Sequence, residues 1–299
     1  MISLAKTSDN NIKTAWLGLN NGWSGKAALY RARGRNFSQF DWANSLSQPN
    51  LLFDDVEKIL KFGSQNCVAV KNLPIRDTQI KVVIKRLYKG YGLRQFFRSF
   101  RPGKALRNFN TALNLISCGI AVTVPFAALQ QRRRLFTKQS IYITEYSPDS
   151  ADLHSFASRR LSSIKNTELF AIKKQLSYEL ASVLASLHKN GLWHRDSKAS
   201  NFIVCKDNQD KYRILLVDMD GIKRYLLPSR SRQYRSLWQL AASLISVPGI
   251  SRTDYLRTFT AYCNLTGLEP SQRRTLYRYL AKRALAKRMR AMVTVVINK

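Results

Sequence analysis

The sequence feature that most constrains the fold is a pair of short polar loops, each attached to an apolar run. Residues 194–201 read His-Arg-Asp-Ser-Lys-Ala-Ser-Asn, and residues 217–221 read Val-Asp-Met-Asp-Gly directly after an apolar stretch. In the first loop a carboxylate, Asp196, and an amide, Asn201, stand five residues apart. At this spacing both side chains can converge on one side of a tight loop, where one accepts a proton and the other binds a metal.

The surroundings of the two loops predict an ordered series of elements. Apolar residues at helical spacing run from Leu176 to Leu187, and Asn190-Gly191 supplies a stop. Residues 202–204 and 214–217 read as two short strands of a hairpin. Helix, catalytic loop, hairpin and metal-binding loop follow one another in this order in the C-terminal lobe of protein kinases. The alternative is an ordinary helix-to-strand loop without any chemistry.

The kinase pattern assigns a role to each polar residue of the loops. There the Asp accepts the proton of the substrate hydroxyl and the Asn binds magnesium. Asp196 is therefore the candidate base, and Asn201 and Asp218 are the candidate metal ligands. Lys198 is placed to neutralise charge that develops on the transferred phosphoryl group. The sequence thus predicts a phosphotransferase that uses ATP and Mg²⁺.

The N-terminal half offers candidates for nucleotide binding. Residues 80–86 predict a strand in which Val-Ile-Lys, ending at Lys85, resembles the kinase strand whose lysine holds the α- and β-phosphates. Lys81 lies on the same strand face and is the second choice. Residues 141–146 predict the last strand before a hinge, where backbone groups near Glu145 and Tyr146 would meet the adenine edge.

A phosphate-binding turn is expected at residues 63–66, where Gly63 and Ser64 are the candidate residues. The turn carries a single glycine, so by itself it predicts no more than a hairpin.

One expected residue is missing from this half of the chain. Between residues 80 and 144 there is no Asp or Glu, although thirteen Lys and Arg fall in that window. Protein kinases pair the strand lysine with a helix glutamate from this region. The predicted helix 104–115 offers Asn108 or Asn110 instead. The missing glutamate indicates either a weakened kinase or a divergent one, and the intact acidic loops favour the divergent kinase.

The charge of the chain limits its partners. With 50 Lys and Arg against 18 Asp and Glu, the formal net charge is +32. Such a surface attracts nucleic acid, an anionic membrane or a phosphorylated glycolipid. The N-terminus has no apolar signal core, and the apolar window 112–129 is interrupted by Asn114, Gly119 and Pro125. We therefore expect a cytoplasmic protein without a membrane span.

Together these motifs resemble the bacterial lipopolysaccharide kinase family, protein-kinase-like enzymes that phosphorylate Kdo or heptose in the lipopolysaccharide inner core. The segment 193–204 is similar to the family's catalytic loop, and residues 217–221 have the Asp-x-Asp form typical of it. Residues 104–125 loosely resemble the family's helix and following connection. The resemblance covers roughly residues 55 to 260.

The resemblance implies an α+β, two-lobed, protein-kinase-like fold. The expected domains are an N-terminal extension at 1–52, an N-lobe at 53–147 and a C-lobe at 148–299 that ends in a basic helix. It implies transfer of the γ-phosphoryl group of ATP to a sugar hydroxyl of an anionic glycolipid. The enzyme would work peripherally at the inner face of the cytoplasmic membrane, and no nucleic-acid partner is expected.

Two segments are candidates for docking on the membrane. One is the basic and aromatic stretch 85–107, and the other is the C-terminal run 273–290. The second places its basic residues among leucines at helical spacing: Arg274, Arg278, Lys282 and Arg283 among Leu276, Leu280 and Leu285. The alternative for this run is a basic, solvated helix that packs its leucines on the C-lobe.

Three other functions remain open at this point. A protein Ser/Thr or Tyr kinase shares all the catalytic residues, but no Ala-Pro-Glu follows Gly221. A pseudokinase scaffold would fit the missing helix glutamate. A basic nucleic-acid-binding scaffold rests on charge alone and leaves the two acidic loops unexplained.

Overall fold

The computed structural model describes residues 12–29, 31–32, 35–64, 66–88, 102–133, 136–164, 166–225 and 229–297. The chain divides into two compact units. The first comprises Met1–Ser117 and Thr123–Ser147, and the second comprises Cys118–Val122 and Pro148–Lys299.

The first unit is built on an antiparallel sheet, which has seven strands in the described part of the chain. Their order across the sheet is β1-β2-β8-β9-β7-β6-β5. The strands are β1 (Thr14–Gly18), β2 (Trp23–Ala28), β5 (Lys58–Gly63), β6 (Asn66–Ile75), β7 (Thr78–Tyr88), β8 (Pro125–Arg133) and β9 (Phe136–Glu145). A separate two-stranded ladder joins β3 (Arg31–Ala32) to β4 (Arg35–Asn36).

Strand β7 shows how the sequence pattern sets the faces of this sheet. Successive side chains of a strand point to opposite faces. Ile80, Val82 and Ile84 are buried in the main core of the unit. Lys81 and Lys85 alternate with them and are half-buried on the opposite face. The predicted strand 80–86 is therefore confirmed and extends two residues further at each end.

The described part of the first fifty residues contributes directly to the first unit. Strands β1 and β2 form one edge of the sheet, and Trp23 and Leu17 enter its core. Helix α1 (Gln39–Ser45) begins at a capping box formed by Ser38 and Asp41. Sequence patterns assign residues 1–52 to an extension, whereas the structure places β1 and β2 of this segment in the sheet and Trp42, Leu46 and Leu52 in its core.

The second face of the sheet is covered by helix α2 (Lys104–Ser117). Its apolar stripe, which includes Ala105, Leu106 and Phe109, packs with Leu87 and Tyr142 of the sheet. Leu87 lies two residues after Lys85, so α2 covers the face of β7 that carries Lys85.

The second unit contains short hairpins and long helices. Its strands are β10 (Ala151–Asp152), β11 (Leu192–His194), β12 (Phe202–Lys206), β13 (Tyr212–Leu216) and β14 (Ile222–Arg224). Its long helices are α3 (Asn166–Lys189), α4 (Arg230–Leu244), α5 (Arg252–Thr266) and α6 (Pro270–Ile297). Short helical segments at Leu153–Ser155, Phe156–Arg160 and Leu161–Ser163 precede α3.

The long helices pack in pairs, α3 against α5 and α4 against α6. The apolar stripe predicted for α3 is confirmed, because Leu176, Leu180 and Leu187 are all buried. Within the described residues, no helix combines the length and apolarity that crossing a bilayer would require.

Candidate active site

The two polar loops lie side by side in the second unit. Strand β11 pairs with β14, and β12 pairs with β13. At one end, the N–H of Arg195 donates to the carbonyl of Gly221 at 2.8 Å. At the other end, the N–H of Val217 donates to the carbonyl of Asn201 at 2.9 Å. Each loop is therefore fastened to the other by backbone hydrogen bonds at both ends.

His194 is fully buried beneath the first loop. The N–H of Asp196 donates to its Nδ1 at 3.2 Å. Burial lowers the pKa of His194, although the nearby Asp218 and Asp196 carboxylates oppose the effect, so the imidazole is neutral near pH 7. Gly221 packs against the ring, since a Cβ on that glycine would lie 2.4 Å from Cε1 of His194. His194 therefore supports Asp196 from below.

The candidate base and its neighbours lie at the surface of the first loop. The Asp196 side chain is 47% exposed, and its carboxylate pairs with Nζ of Lys198 at 2.8 Å. Nδ2 of Asn201 donates to the backbone carbonyl of Asp196 at 2.9 Å. Because this bond uses the amide nitrogen, the amide oxygen is the end of Asn201 that can bind a metal. The predicted residues of this loop are thus brought together.

Asp218 stands in an unusual backbone conformation. Its φ and ψ are both 62°, in the left-handed region. A non-glycine residue there costs about 1–3 kcal/mol, and such strain is concentrated at functional sites. Hydrogen bonds on either side, from Val217 to Asn201 and from Gly221 to Asp218, hold the backbone in this shape. The strained turn presents the half-buried Asp218 beside the first loop.

Helix α4 supports the first loop from behind. Oγ of Ser236 donates to the carbonyl of His194 at 3.1 Å. Oε1 of Gln239 accepts from the N–H of Ser197 at 3.4 Å, and Oγ of Ser243 accepts from the N–H of Ala199 at 2.9 Å. Sequence reasoning missed these three side chains. The available signal was their spacing of three and four residues, which puts them on one helix face beside buried leucines.

In the first unit, the two strand lysines have different surroundings. Nζ of Lys81 pairs with Glu57 at 2.5 Å and lies 4.9 Å from the ring centre of Tyr146. The hydrogen bond that Lys81 donates to the Glu57 carboxylate raises the pKa of Lys81. Lys85 pairs through its backbone with Val68 on β6 and Tyr142 on β9, near the middle of the sheet. A carboxylate partner, missing from residues 80–144, is therefore supplied to Lys81 from an earlier segment.

The other candidates for nucleotide binding lie at two edges of the same unit. Gly63 closes the β5–β6 hairpin by pairing with Asn66, and Ser64 is exposed at its tip. The N–H of Glu145 donates to Val124, and that of Tyr146 donates to Lys81. Both hinge N–H groups are therefore bonded within the unit.

The two asparagines of α2 that could replace the helix glutamate of a kinase lie on different faces of the helix. Asn108 is 2% exposed, on the face that packs against the sheet. Asn110 is exposed. Asn108 therefore lies on the side of α2 that faces the sheet surface carrying Lys85, whereas Asn110 points to solvent.

The residues of the second unit fit a magnesium ion. Mg²⁺ prefers oxygen ligands, keeps several waters, and binds through one or two carboxylates together with substrate phosphates. Asp218 offers a carboxylate and Asn201 an amide oxygen held in place by Asp196. The described residues contain no cluster of three or more His, Cys, Asp or Glu suited to a metal. That finding is compatible with Mg²⁺, which does not need such a cage.

The C-terminal helix α6 divides its residues between two faces. Leu276 and Leu280 are buried against the unit, whereas the basic residues Arg274, Arg278, Lys282 and Arg283 are exposed. The apolar stripe is thus used for packing, and the outer face is basic. Leu285 departs from the prediction because it is 55% exposed. In the other predicted docking segment, residues 89–101 lie outside the described residues.

An apolar cavity of about 570 Å³ lies among the helices of the second unit. Helices α3, α4, α5 and α6 line it with leucines and aromatic rings, among them Leu180, Leu240, Phe259 and Tyr277. A cavity of this size exceeds the voids that ordinary packing leaves. Such a space suits an apolar ligand.

Comparison with known proteins places the chain among kinases. A family model described as the lipopolysaccharide kinase (Kdo/WaaP) family matches residues 71–262. A solved structure of WaaP in complex with acyl carrier protein is similar in fold, with a TM-score of 0.58 at 16% identity. The match covers 84% of this chain and 97% of that one. The predicted α+β, protein-kinase-like fold is confirmed.

Two kinase domains also match, at lower similarity. A rhoptry antigen kinase domain of Toxoplasma gondii gives a TM-score of 0.45 at 13% identity, covering 76% of this chain and 82% of that one. The BubR1 kinase domain gives 0.46 at 16% identity, covering 77% and 80%. No curated protein sequence gives a significant match.

Proposed function

Since the chain belongs to the lipopolysaccharide kinase (Kdo/WaaP) family, we propose that it transfers the γ-phosphoryl group of ATP to an inner-core sugar. The acceptor is a hydroxyl of Kdo or heptose. The observation that carries the proposal is the pairing of the two acidic loops in the second unit. It puts a half-exposed carboxylate, Asp196, next to an oriented amide and a strained Asp218.

Each residue of the site has a part in this reaction. Asp196 accepts the proton of the sugar hydroxyl as it attacks phosphorus. Lys198, 2.8 Å from Asp196, neutralises charge on the transferred group. Asn201 and Asp218 hold Mg²⁺, which when bound neutralises the phosphates of ATP. Lys85 binds the α- and β-phosphates of ATP, and Gly63 and Ser64 lie close to the phosphates. The backbone at Glu145 and Tyr146 contacts the adenine.

The acceptor is carried by an anionic glycolipid at the inner face of the cytoplasmic membrane. The net charge of +32 and the exposed basic face of α6 favour such a surface. Basic residues near an anionic bilayer each contribute about 1 kcal/mol to binding. The enzyme would therefore associate with the membrane peripherally.

The test is transfer of label from γ-labelled ATP to three acceptors in parallel: Kdo-lipid A, a heptose-containing core, and a protein. We expect the glycolipid to become labelled, and we expect this labelling to be lost when a chelator removes Mg²⁺. Asp196→Asn and Asp218→Asn should each lower turnover at least about a hundredfold. Asp210→Asn, at an exposed hairpin turn, is the matched control and should leave turnover unchanged.

Each outcome has a clear meaning. Labelled protein without labelled glycolipid would favour the protein-kinase alternative. Near-normal turnover of Asp196→Asn on a verified acceptor would contradict the assigned base. Absence of label in every arm would favour a pseudokinase.

A second proposal concerns a protein partner. WaaP was solved in complex with acyl carrier protein. We propose that this chain also binds an acyl carrier protein, with the acyl chain in the apolar cavity of the second unit. Co-elution with acylated carrier protein, and weaker co-elution with the unacylated form, is expected. Equal retention of both forms would contradict use of the cavity.

A further inference from the structure

Lys287 occupies an unexpected position on α6. The buried stripe of this helix runs through Leu276, Leu280 and Ala284 at spacings of four residues. The next position on the same face, three residues further along, is Lys287. Its side chain is half-buried, and Nζ lies 5.5 Å from the ring centre of Trp238 on α4. A lysine therefore stands where the helix pattern calls for an apolar residue.

The position of Lys287 brings it to the candidate active site. Its partner helix α4 supports the first polar loop through Ser236, Gln239 and Ser243. Lys287 lies close enough to Asp196, Lys198 and Arg235 to be affected by their charges. Burial lowers the pKa of Lys287, so the fold removes water from a cation beside the candidate base.

The local charges do not balance among these residues. Lys198 already pairs with the Asp196 carboxylate at 2.8 Å. Lys198, Arg235 and Lys287 are the cations whose charges act together with the Asp196 carboxylate. Arg195 and Asp218 act on His194 beneath the same loop, so four cations stand against two carboxylates. This leaves an excess of positive charge beside the candidate base. A partly desolvated cation without a matching carboxylate attracts an anionic group of a ligand.

We propose that Lys287 is a specificity-determining residue that binds an anionic group of the acceptor next to the hydroxyl that Asp196 deprotonates. The inference rests on the proposed function. The group is a carboxylate or a phosphate ester on the sugar, since both are oxygen anions that accept hydrogen bonds from an ammonium. The ring of Trp238 holds the ammonium in place through a cation–π contact.

A merely structural lysine would behave differently. If Lys287 served only to pack α6 on α4, its replacement would lower stability and impair all acceptors alike. If it binds an acceptor anion, the loss depends on whether the acceptor carries that anion. The charge of the acceptor is therefore the variable to change.

The test measures phosphorylation kinetics on soluble acceptors with the full chain. The acceptors are an acidic inner-core sugar, its neutral methyl ester, a sugar phosphate and its dephosphorylated counterpart. Lys287→Ala should raise KM about tenfold for either the acidic sugar or the sugar phosphate, as expected for loss of a charge-assisted hydrogen bond. KM for the neutral counterpart of that acceptor should change less than about twofold. Lys287→Arg should restore most of the affinity. Lys211→Ala, at the exposed turn of the β12–β13 hairpin, is the matched control.

The results separate the two proposals. If Lys287→Ala raises KM for the acidic sugar but not for its methyl ester, the bound group is a carboxylate. If it raises KM for the sugar phosphate but not for the dephosphorylated sugar, the bound group is a phosphate. Equal losses on charged and neutral acceptors, or no loss on either, would overturn the role of Lys287. If the wild-type chain phosphorylates none of the acceptors, the proposed function fails. Calorimetric titration with inorganic phosphate then still tests Lys287, because phosphate binding should weaken in Lys287→Ala and stay unchanged in Lys211→Ala.

Discussion

At the scale of single residues, Gly221 and His194 share one small space beneath the first polar loop. We predict that Gly221→Ala lowers turnover at least about tenfold, because small misplacements of catalytic groups can cost up to a hundredfold. The added methyl would lie 2.4 Å from the His194 ring. The ring must then shift, and Asp196, whose N–H donates to it, shifts with it. Steady-state kinetics with saturating ATP and acceptor provide the measurement.

The matched control for this change is Gly18→Ala. Gly18 lies on an edge strand of the first unit, and a methyl there meets nothing within 4 Å. Its turnover should equal that of the wild type. If Gly221→Ala keeps full turnover, the support of Asp196 by His194 is not needed for activity.

The two strand lysines make a second prediction at this scale. Lys85→Ala should raise KM for ATP and lower kcat, since Lys85 lies on the sheet face that α2 covers, as the phosphate-binding lysine of a kinase does. Lys81→Ala should affect stability more than ATP kinetics, because Lys81 already pairs with Glu57. Kinetics and thermal unfolding of both variants decide the matter. Unchanged ATP kinetics in Lys85→Ala, with a loss in Lys81→Ala, would reverse the assignment.

At the scale of elements, α6 presents a basic outer face while its leucines pack inward. We predict that this helix binds membranes by charge rather than by insertion. Neutralising Arg274, Arg278, Lys282 and Arg283 together should weaken sedimentation with phosphatidylglycerol vesicles and raise KM for a lipid-linked acceptor. Salt should release the wild type, since screening at 0.15 M limits exposed charges to a range of about 8 Å.

Two controls belong with this experiment. Activity on a soluble sugar fragment should change little, because the four residues are exposed and point away from the unit. Vesicles of neutral lipid should bind neither protein. Equal sedimentation of the variant and the wild type on anionic vesicles would exclude α6 from membrane docking and leave the segment 85–107.

At the scale of the whole molecule, buried histidines make stability depend on pH. His188 is 4% exposed and its Nδ1 lies 2.8 Å from the hydroxyl of Tyr262. Burial lowers the pKa of His188 from 6.5 to about 4. Between these values the unfolded chain binds a proton that the folded chain does not, so stability falls as the pH falls. The loss attributable to His188 is roughly 3 kcal/mol, and it is complete below the folded pKa.

Urea unfolding at several pH values between 7.5 and 4 measures this effect. His188→Gln removes the titrating group and should flatten the dependence in that range, at some cost in stability near pH 7. The burial of His194 lowers its pKa as well, so part of the slope remains in the variant. An identical slope in the variant and the wild type would contradict the assignment to His188.

The elements that the sequence predicted well are those with a strong local signal. Helices α2 and α3 and the hairpin β12–β13 follow from apolar spacing and turn residues, which act within a few positions of the chain. The strands of the segment 1–52 have no comparable local signal in the sequence. Strands β1 and β2 are short, and they join the sheet because β2 pairs with β8, about a hundred residues away. Local patterns do not show such a pairing.

Local sequence is enough to identify the residues that can do chemistry and the order in which they come. The spacing of His194, Asp196 and Asn201, with Asp218 directly after the next apolar run, already predicted a phosphotransferase, because residues so close in sequence are held near one another by the chain itself. Tertiary structure alone decided what surrounds them. Ser236, Gln239 and Ser243 support the loop, and Glu57 pairs with Lys81. Lys287, on a helix much later in the chain, lies close enough to Asp196 for their charges to interact. Such contacts depend on how distant helices and strands pack, and that packing is fixed by buried area rather than by any local pattern.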